Sequence, residues 1–141
     1  MSAPPPPILL VDDNPMDVDL TMRAFRKRGT ALPITVARDG EEALAFVQRW
    51  EEGEALPSVI LLDINMPRVN GLEVLQQLRA HPRFRRIPVV MLTSSREDRD
   101  LQAAYDLGAN SYIEKPVSFS EFVEVAADIE RYWCALNARA Y

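Results

Sequence analysis

The chain has 141 residues, of which 48% are hydrophobic and 26% charged, and its formal net charge is −5. This length suffices for one globular domain without disulfides or a structural metal, and so acidic a chain binds nucleic acid and anionic membranes poorly. Because it has one cysteine, Cys134, and one histidine, His81, we expect no disulfide framework or histidine metal cage, but a cytoplasmic domain with no nucleic-acid or membrane partner.

Short apolar runs and helical patterns alternate along the chain. Residues 1–7 contain the run Pro4–Pro7, and we expect them to form a disordered, proline-rich lead-in. Beyond it, five runs rich in Ile, Val and Leu at consecutive positions predict strands that are buried on both faces. The runs are Ile8–Val11, Ile34–Ala37, Val59–Leu62, Pro88–Leu92 and Ser111–Ile113.

Each predicted strand is followed by a segment with helical spacing. The first helix is predicted to begin at Asn14-Pro15, a capping residue before a proline, and to end at Gly29. Asp39 and Glu42 have the spacing of a capping box at the start of the second. Apolar residues mark the third and fourth, at Val74, Leu75 and Leu78, then at Leu101, Ala104 and Tyr105. The last is predicted from about Ser118 to Leu136, with an apolar side formed by Phe122, Ala126, Ile129 and Trp133.

Strict alternation of strands and helices predicts an α/β fold in which helices cover both faces of a doubly wound parallel sheet. Such folds bind ligands at the carboxyl ends of the strands, near the point where the strand order reverses. We expect a single domain over residues 8–136 and a short C-terminal tail over residues 137–141.

Polar side chains follow four of the predicted strands. Asp12 and Asp13 follow the first strand, Asp63 the third, Thr93 the fourth and Lys115 the fifth. Three carboxylates at adjacent strand ends repel one another, and a hard divalent cation removes that repulsion. We therefore interpret the three aspartates as a Mg²⁺ site with open positions for a phosphoryl group.

Lys115 and Thr93 fit the same chemistry. Lys27 and Lys115 are the only lysines among the 16 basic side chains, so a lysine at a strand end stands out. Its ammonium is a compact charge that can reach a phosphate or carboxylate oxygen. The Thr93 hydroxyl could donate a hydrogen bond to a phosphoryl oxygen on Asp63. A cis Lys115–Pro116 bond would aim the lysine inward, and the sequence leaves the isomer open.

These motifs occur together, and in the same order, in a known family. Several segments resemble the receiver domain of two-component response regulators. They are Asp12-Asp13, Asp63-Ile64-Asn65-Met66-Pro67 with Gly71, Thr93-Ser94, and Tyr112-Ile113-Glu114-Lys115-Pro116. The resemblance covers Ile8 to about Ile129 and implies a flavodoxin-like (βα)5 sandwich with strand order 2-1-3-4-5. Asp12–Pro15, His81–Pro88 and the tryptophan-containing tail also resemble the stand-alone regulators that are paired with phytochrome-type sensor histidine kinases.

The resemblance implies a role for each residue of the acidic site. Asp63 would be the phosphoacceptor, receiving the phosphoryl group of a kinase phosphohistidine in a Mg²⁺-dependent reaction. Asp13 would be a direct Mg²⁺ ligand, and Asp12 would act largely through water. Asn65 would add its backbone carbonyl. Asn65 and Ser95 lie where receivers vary to set the lifetime of the phosphate, so the sequence leaves that lifetime open.

The resemblance also implies how the signal leaves the site. Thr93 and Lys115 would contact the phosphoryl oxygens, and Thr93 and Tyr112 would form a switch pair. Because we expect no output domain, the signal would pass through protein contacts or by onward phosphotransfer. The chain would catalyse only its own phosphorylation and dephosphorylation. We also expect a homodimer, formed through the region of the C-terminal helix.

Three other functions are disfavoured by particular residues. A phosphatase or phosphotransferase with an aspartate nucleophile, of the haloacid dehalogenase type, needs a second carboxylate two residues after the nucleophile, where this chain has Asn65. A flavodoxin-like electron carrier needs a phosphate-binding loop after the first strand, where Asp12 and Asp13 would repel phosphate. A degenerate receiver that only binds partners would not need the intact Lys115.

Overall fold

The computed structural model describes residues 5–27, 29 and 32–141, so most of the predicted lead-in, residues 1–4, lies outside the described residues. The strands are β1 (Ile8–Val11), β2 (Ile34–Ala37), β3 (Val59–Leu62), β4 (Val89–Thr93) and β5 (Ser111–Glu114). The helices are α1 (Pro15–Lys27), α2 (Gly40–Glu51), α3 (Gly71–Ala80), α4 (Asp98–Asp106) and α5 (Phe119–Ile129), with a π-helix over Glu130–Leu136.

The five strands form one parallel sheet in the order β2-β1-β3-β4-β5. The α/β fold, the doubly wound arrangement and the strand order are therefore confirmed. The fourth strand begins at Val89 rather than at the predicted Pro88, because proline lacks the N–H that a strand interior donates. It ends at Thr93, so this hydroxyl belongs to the last residue of a buried strand.

Alternate residues of each strand pack into two separate hydrophobic clusters. Leu9 and Val11 of β1 lie on the face that α2, α3 and α4 cover. Ile8 and Leu10 lie on the opposite face, which α1 and α5 cover. Since both faces are buried, a strand needs apolar residues at consecutive positions, which is the pattern that the sequence shows.

Helices α1, α2, α3 and α5 begin at side chains that accept backbone hydrogen bonds, whereas α4 has no such side-chain cap. Asn14 Oδ1 accepts from the N–H of Met16 at 2.9 Å and of Asp17 at 3.3 Å. Asp39 Oδ1 accepts from the N–H of Glu42 at 2.8 Å, so the predicted cap of α2 is confirmed. No helix among the residues that the structure describes has both the length and the apolarity needed to cross a bilayer.

The C-terminal region differs from the single long helix predicted over residues 118–136. The α-helix ends at Ile129, and the next seven residues form a π-helix. Phe122, Ala126 and Ile129 are buried against the sheet. The wider turn that follows keeps Trp133 and Cys134 partly buried against the same cluster, while Leu136 is 64% exposed.

The last residues of the chain pack beneath the sheet. Tyr141 contacts the hydrophobic cluster on the α2–α4 face, and its hydroxyl donates to the carbonyl oxygens of Pro57 at 2.8 Å and Ser58 at 3.0 Å. These two residues precede β3, so the contact lies at the edge where the strands begin. Burial raises the pKa of Tyr141 to about 12.

Replacing Tyr141 with phenylalanine is expected to lower the free energy of unfolding by about 1 kcal/mol, because both carbonyl oxygens lose their donor. The folded state holds the phenol proton more tightly than the unfolded state, whose pKa is near 10.0. The wild type should therefore lose this contribution as the pH rises from about 10 towards about 12, whereas Tyr141→Phe should not. Denaturant melts at several pH values, with Tyr105→Phe, a change at an exposed tyrosine, as the control, test this. Equal pH profiles for Tyr141→Phe and wild type would contradict it.

Candidate functional site

Backbone pairing at the carboxyl edge of the sheet places the predicted polar residues. The N–H of Asp12 donates to the Ala37 carbonyl at 3.1 Å, and the N–H of Asp63 donates to the Val11 carbonyl at 3.0 Å. The N–H of Lys115 donates to the Thr93 carbonyl at 2.8 Å. The sheet ladder thus continues one residue past the strands and fixes the backbone of each residue at the site.

Asp12, Asp13 and Asp63 come together as the sequence predicted. Each offers a carboxylate oxygen, and these oxygens all lie within 4.8 Å of one another. Asp12 and Asp63 are buried, whereas Asp13 is exposed, so the cluster is open to solvent on one side. Only hard oxygen donors face each other here, and this donor set fits a hard divalent cation with free positions.

The Lys115 ammonium lies among the carboxylates at the buried side of the site. Its Nζ is 2.7 Å from Asp12 Oδ2, 2.7 Å from Asp17 Oδ2 and 3.3 Å from Asp63 Oδ2. The side chain is 8% exposed. No cis peptide bond occurs in the described residues, so the Lys115–Pro116 bond is trans and the lysine reaches the site without a cis proline.

Burial and charge act in opposite directions on this ion cluster. Burial raises the pKa of Asp12, although its hydrogen bonds to Lys115 and to the N–H of Asn14 oppose the rise. Burial by itself would lower the pKa of Lys115, but hydrogen bonds to Asp12 and Asp17 and the charge of Asp63 raise it overall. The ammonium therefore stays charged at neutral pH.

Asp17 belongs to this site, and the sequence analysis did not include it. It lies in the first turn of α1, where a short loop brings the helix back to the edge at which β1 ends. An acidic residue in the first turn of a helix is usually explained by the helix dipole alone. Its position five residues after Asp12, beyond a tight Asn14-Pro15 turn, was the available signal.

Thr93 and Tyr112 both contact Ser95 in the loop between β4 and α4. Thr93 is fully buried, and its Oγ1 accepts from the N–H of Ser95 at 3.2 Å. The Tyr112 hydroxyl donates to the Ser95 carbonyl at 3.2 Å. Ser95 Oγ donates to Asp100 Oδ2, in the first turn of α4, at 2.6 Å. The two predicted switch residues are thus joined through one loop residue.

The loop between β3 and α3 packs tightly behind Asp63. A Cβ atom on Gly71 would lie 2.0 Å from the Asp63 carbonyl oxygen, so only glycine allows α3 to begin here. Asn65 is exposed in this loop, two residues after Asp63. Asp63 Oδ1 accepts from the N–H of Ile64 at 2.8 Å, which leaves Oδ2 directed at Lys115. The phosphoacceptor candidate is therefore held in a fixed orientation.

Comparisons with known proteins agree with this geometry. The family model for the response regulator receiver domain matches residues 8–127. The chain is 44% identical over 131 residues to the probable methanogenesis regulatory protein FilR2 of Methanothrix harundinacea, covering 92% of this chain and 84% of FilR2. It is 37% identical over 134 residues to the response regulator Rcp1 of Synechocystis, covering 94% of this chain and 91% of Rcp1.

Two solved structures are similar over nearly the whole chain. The phosphorylated cyanobacterial phytochrome response regulator RcpA superposes with a TM-score of 0.88 at 32% identity, covering 97% of this chain and 99% of RcpA. The Mn²⁺-bound form of Rcp1 superposes with a TM-score of 0.85 at 33% identity, covering 97% of this chain and all of Rcp1. Sequence and structure thus point to the same group of proteins.

Proposed function

Since the chain belongs to the response regulator receiver domain family of two-component systems, we propose that Asp63 accepts a phosphoryl group from the phosphohistidine of a sensor kinase. The observation that carries this proposal is the position of Asp63 itself. One of its oxygens is held by a backbone N–H, and the other lies 3.3 Å from the Lys115 ammonium. A carboxylate nucleophile thus faces an ammonium group that can neutralise the charge of phosphoryl oxygens.

In the proposed reaction, a carboxylate oxygen of Asp63 attacks phosphorus and the phosphorus–nitrogen bond of the phosphohistidine breaks. Lys115 then contacts a phosphoryl oxygen in place of the Asp63 carboxylate. The protein contributes mainly position and charge, which is what phosphoryl transfer requires. The product is an acyl phosphate, whose phosphoryl group carries about −1.5 to −2 charge in place of the single negative charge of the carboxylate.

We propose Mg²⁺ as the cofactor, held directly by Asp13 and Asp63, through water by Asp12, and by the backbone carbonyl of Asn65. The oxygen-only donor set and its open side suit a cation that keeps several waters. The Mn²⁺-bound form of the similar protein Rcp1 supports a divalent cation at this place. When bound, the cation would neutralise charge on the phosphoryl oxygens.

We propose that Thr93 and Tyr112 form the switch. The Thr93 hydroxyl would leave the Ser95 N–H and donate to a phosphoryl oxygen on Asp63, and Tyr112 would give up its hydrogen bond to the Ser95 carbonyl. The loop between β4 and α4 would then move, because two of the contacts that hold it, those to Thr93 and Tyr112, end on Ser95. Phosphorylation would thereby change the surface that partners read.

The similarity to RcpA supports a phytochrome-type histidine kinase as the partner. We propose that this kinase acts on a receiver domain over residues 8–136, and that the reaction takes place in the cytoplasm. FilR2, which is named as a probable methanogenesis regulator, leaves the stimulus open. Signalling would proceed through protein contacts or onward phosphotransfer. The alternative, an aspartate-nucleophile phosphatase, is not favoured, because an exposed asparagine, Asn65, stands where its second carboxylate is needed.

We also propose a homodimer that uses the C-terminal helical region. Phe119, Tyr132 and Leu136 are 40%, 53% and 64% exposed, respectively. The Tyr132 ring packs edge-on against Trp133, with a centroid distance of 4.8 Å, so an exposed aromatic ring adds to the apolar surface of this region. A second copy of the chain would bury this surface, as aromatic residues commonly do at interface centres.

With Mg²⁺ and a small phosphodonor, the protein should gain one phosphoryl group, and Asp63→Asn should gain none. The exposed Asp98→Asn variant is the matched control and should label like the wild type. EDTA should abolish labelling, since the cation neutralises the developing charge. Intact-mass spectrometry measures the label. Persistent labelling of Asp63→Asn would contradict the assignment.

Replacing Tyr112 with alanine should leave Asp63 phosphorylatable but weaken any contact that depends on phosphorylation. The phosphate shifts an equilibrium that the tyrosine ring helps to define. Labelling and kinase or partner binding are measured in parallel on phosphorylated and unphosphorylated protein. If both forms of the wild type bind every partner equally, the switch does not exist.

The double variant Tyr132→Ala with Leu136→Ala should lower the mass observed in sedimentation while Asp63 still accepts phosphate. Both side chains are exposed, so the fold should survive their removal. Met16→Ala, which removes an 80% exposed apolar side chain from α1, is the control and should stay dimeric. A wild type that stays monomeric at high micromolar concentration, phosphorylated or not, would rule the dimer out.

A further inference from the structure

The Lys115 ammonium shares two of its three carboxylate partners with the candidate cation site. Asp12 and Asp63 each accept from Nζ through Oδ2, and both belong to the group whose oxygens lie within 4.8 Å of one another. Asp17 accepts from the same Nζ at 2.7 Å and is not part of that group. An ammonium and a divalent cation would therefore compete for Asp12 and Asp63, but not for Asp17.

The remaining oxygens of the two shared carboxylates are also engaged. Asp12 Oδ1 accepts from the N–H of Asn14 at 3.0 Å, and Asp63 Oδ1 accepts from the N–H of Ile64 at 2.8 Å. The Oδ2 atoms that face Lys115 accept no backbone N–H among the described residues, and we expect a cation to draw on them. A buried ammonium that lost them without another partner would cost several kcal/mol.

We propose that Asp17 is a positioning residue that keeps hold of the Lys115 ammonium when the Oδ2 atoms of Asp63, directly, and of Asp12, through water, turn to a divalent cation. This inference rests on the proposed function, in which that cation and Lys115 act together at Asp63. Asp17 does not touch the cation; it lowers the cost of cation binding because Lys115 retains a charged partner at the rim of the site.

The local structure suits Asp17 to this role. Its backbone is fixed, since its N–H donates to the Asn14 cap and its carbonyl accepts from the Thr21 hydroxyl at 2.7 Å. Its side chain is 32% exposed, against 2% for Asp12, so it sits at the boundary between the buried site and solvent. From there it can hold one side of the ammonium while the other side changes partners.

Titration with Mg²⁺ alone, followed by calorimetry, tests the proposal through binding rather than phosphorylation. Asp17→Asn should raise the Kd for Mg²⁺ about tenfold, as the loss of a group that supports metal ligands does. Asp19→Asn removes the same charge from the same helix, at a side chain that pairs with Arg23 in an exposed ion pair, and should change the Kd less than about twofold. Asp17→Glu keeps the carboxylate and should restore most of the affinity.

The background variant Lys115→Met decides whether Asp17 acts through the lysine. There, Asp17→Asn should change the Kd less than about twofold, because no ammonium remains to be held. A tenfold effect that persists without Lys115 would make Asp17 a direct partner of the cation and overturn the proposal. If Lys115→Met does not fold, Lys115→Gln, which also removes the ammonium, serves as the background for the same comparison.

Failure of this inference is distinguishable from failure of the proposed function. A wild type that shows no Mg²⁺ binding and takes up no phosphate would remove the proposed function itself. A wild type that binds Mg²⁺ and is phosphorylated, with Asp17→Asn indistinguishable from Asp19→Asn, would overturn only the role of Asp17.

Discussion

One ammonium group, that of Lys115, offsets the repulsion between carboxylates that lie together at the carboxyl edge of the sheet. Parallel strands all end at the same edge, so residues that follow separate strands, Asp12 and Asp63, meet there as carboxylates. Two of these groups are buried, where unbalanced charge is most costly. Lys115 follows β5, the edge strand of the sheet. Its positive charge is what makes this concentration of carboxylates compatible with a folded chain.

The local patterns in the sequence were sufficient for the architecture. Consecutive apolar residues indicate strands that are buried on both faces. Asn14 and Asp39 indicate where helices begin, because each accepts a short-range backbone hydrogen bond that depends on few neighbours. The strand-end positions of Asp12, Asp63 and Lys115 follow from the same reading, because topology alone carries them to one place.

What the sequence did not reveal depends on tertiary geometry. Asp17 joins the site only because the turn after β1 is short enough to bring the first turn of α1 alongside Lys115. The α-helix changes to a π-helix after Ile129, and Trp133 in that π-helix packs against the buried cluster, a change that apolar spacing alone does not encode. The contact of Tyr141 with Pro57 spans 84 residues and leaves no periodic signal in either segment.

Ser95 commits three polar groups to three different neighbours: its N–H to Thr93, its carbonyl to Tyr112 and its hydroxyl to Asp100. Under the proposed mechanism, the Ser95 N–H loses its acceptor when the Thr93 hydroxyl moves away. The lowest-energy response is then for the whole loop to change its hydrogen bonds at once. Arrangements in which only one neighbour has moved are then poorly populated. A loop built in this way behaves as a latch with two positions, and it would convert a gradual rise in kinase activity into a stepwise change in each molecule.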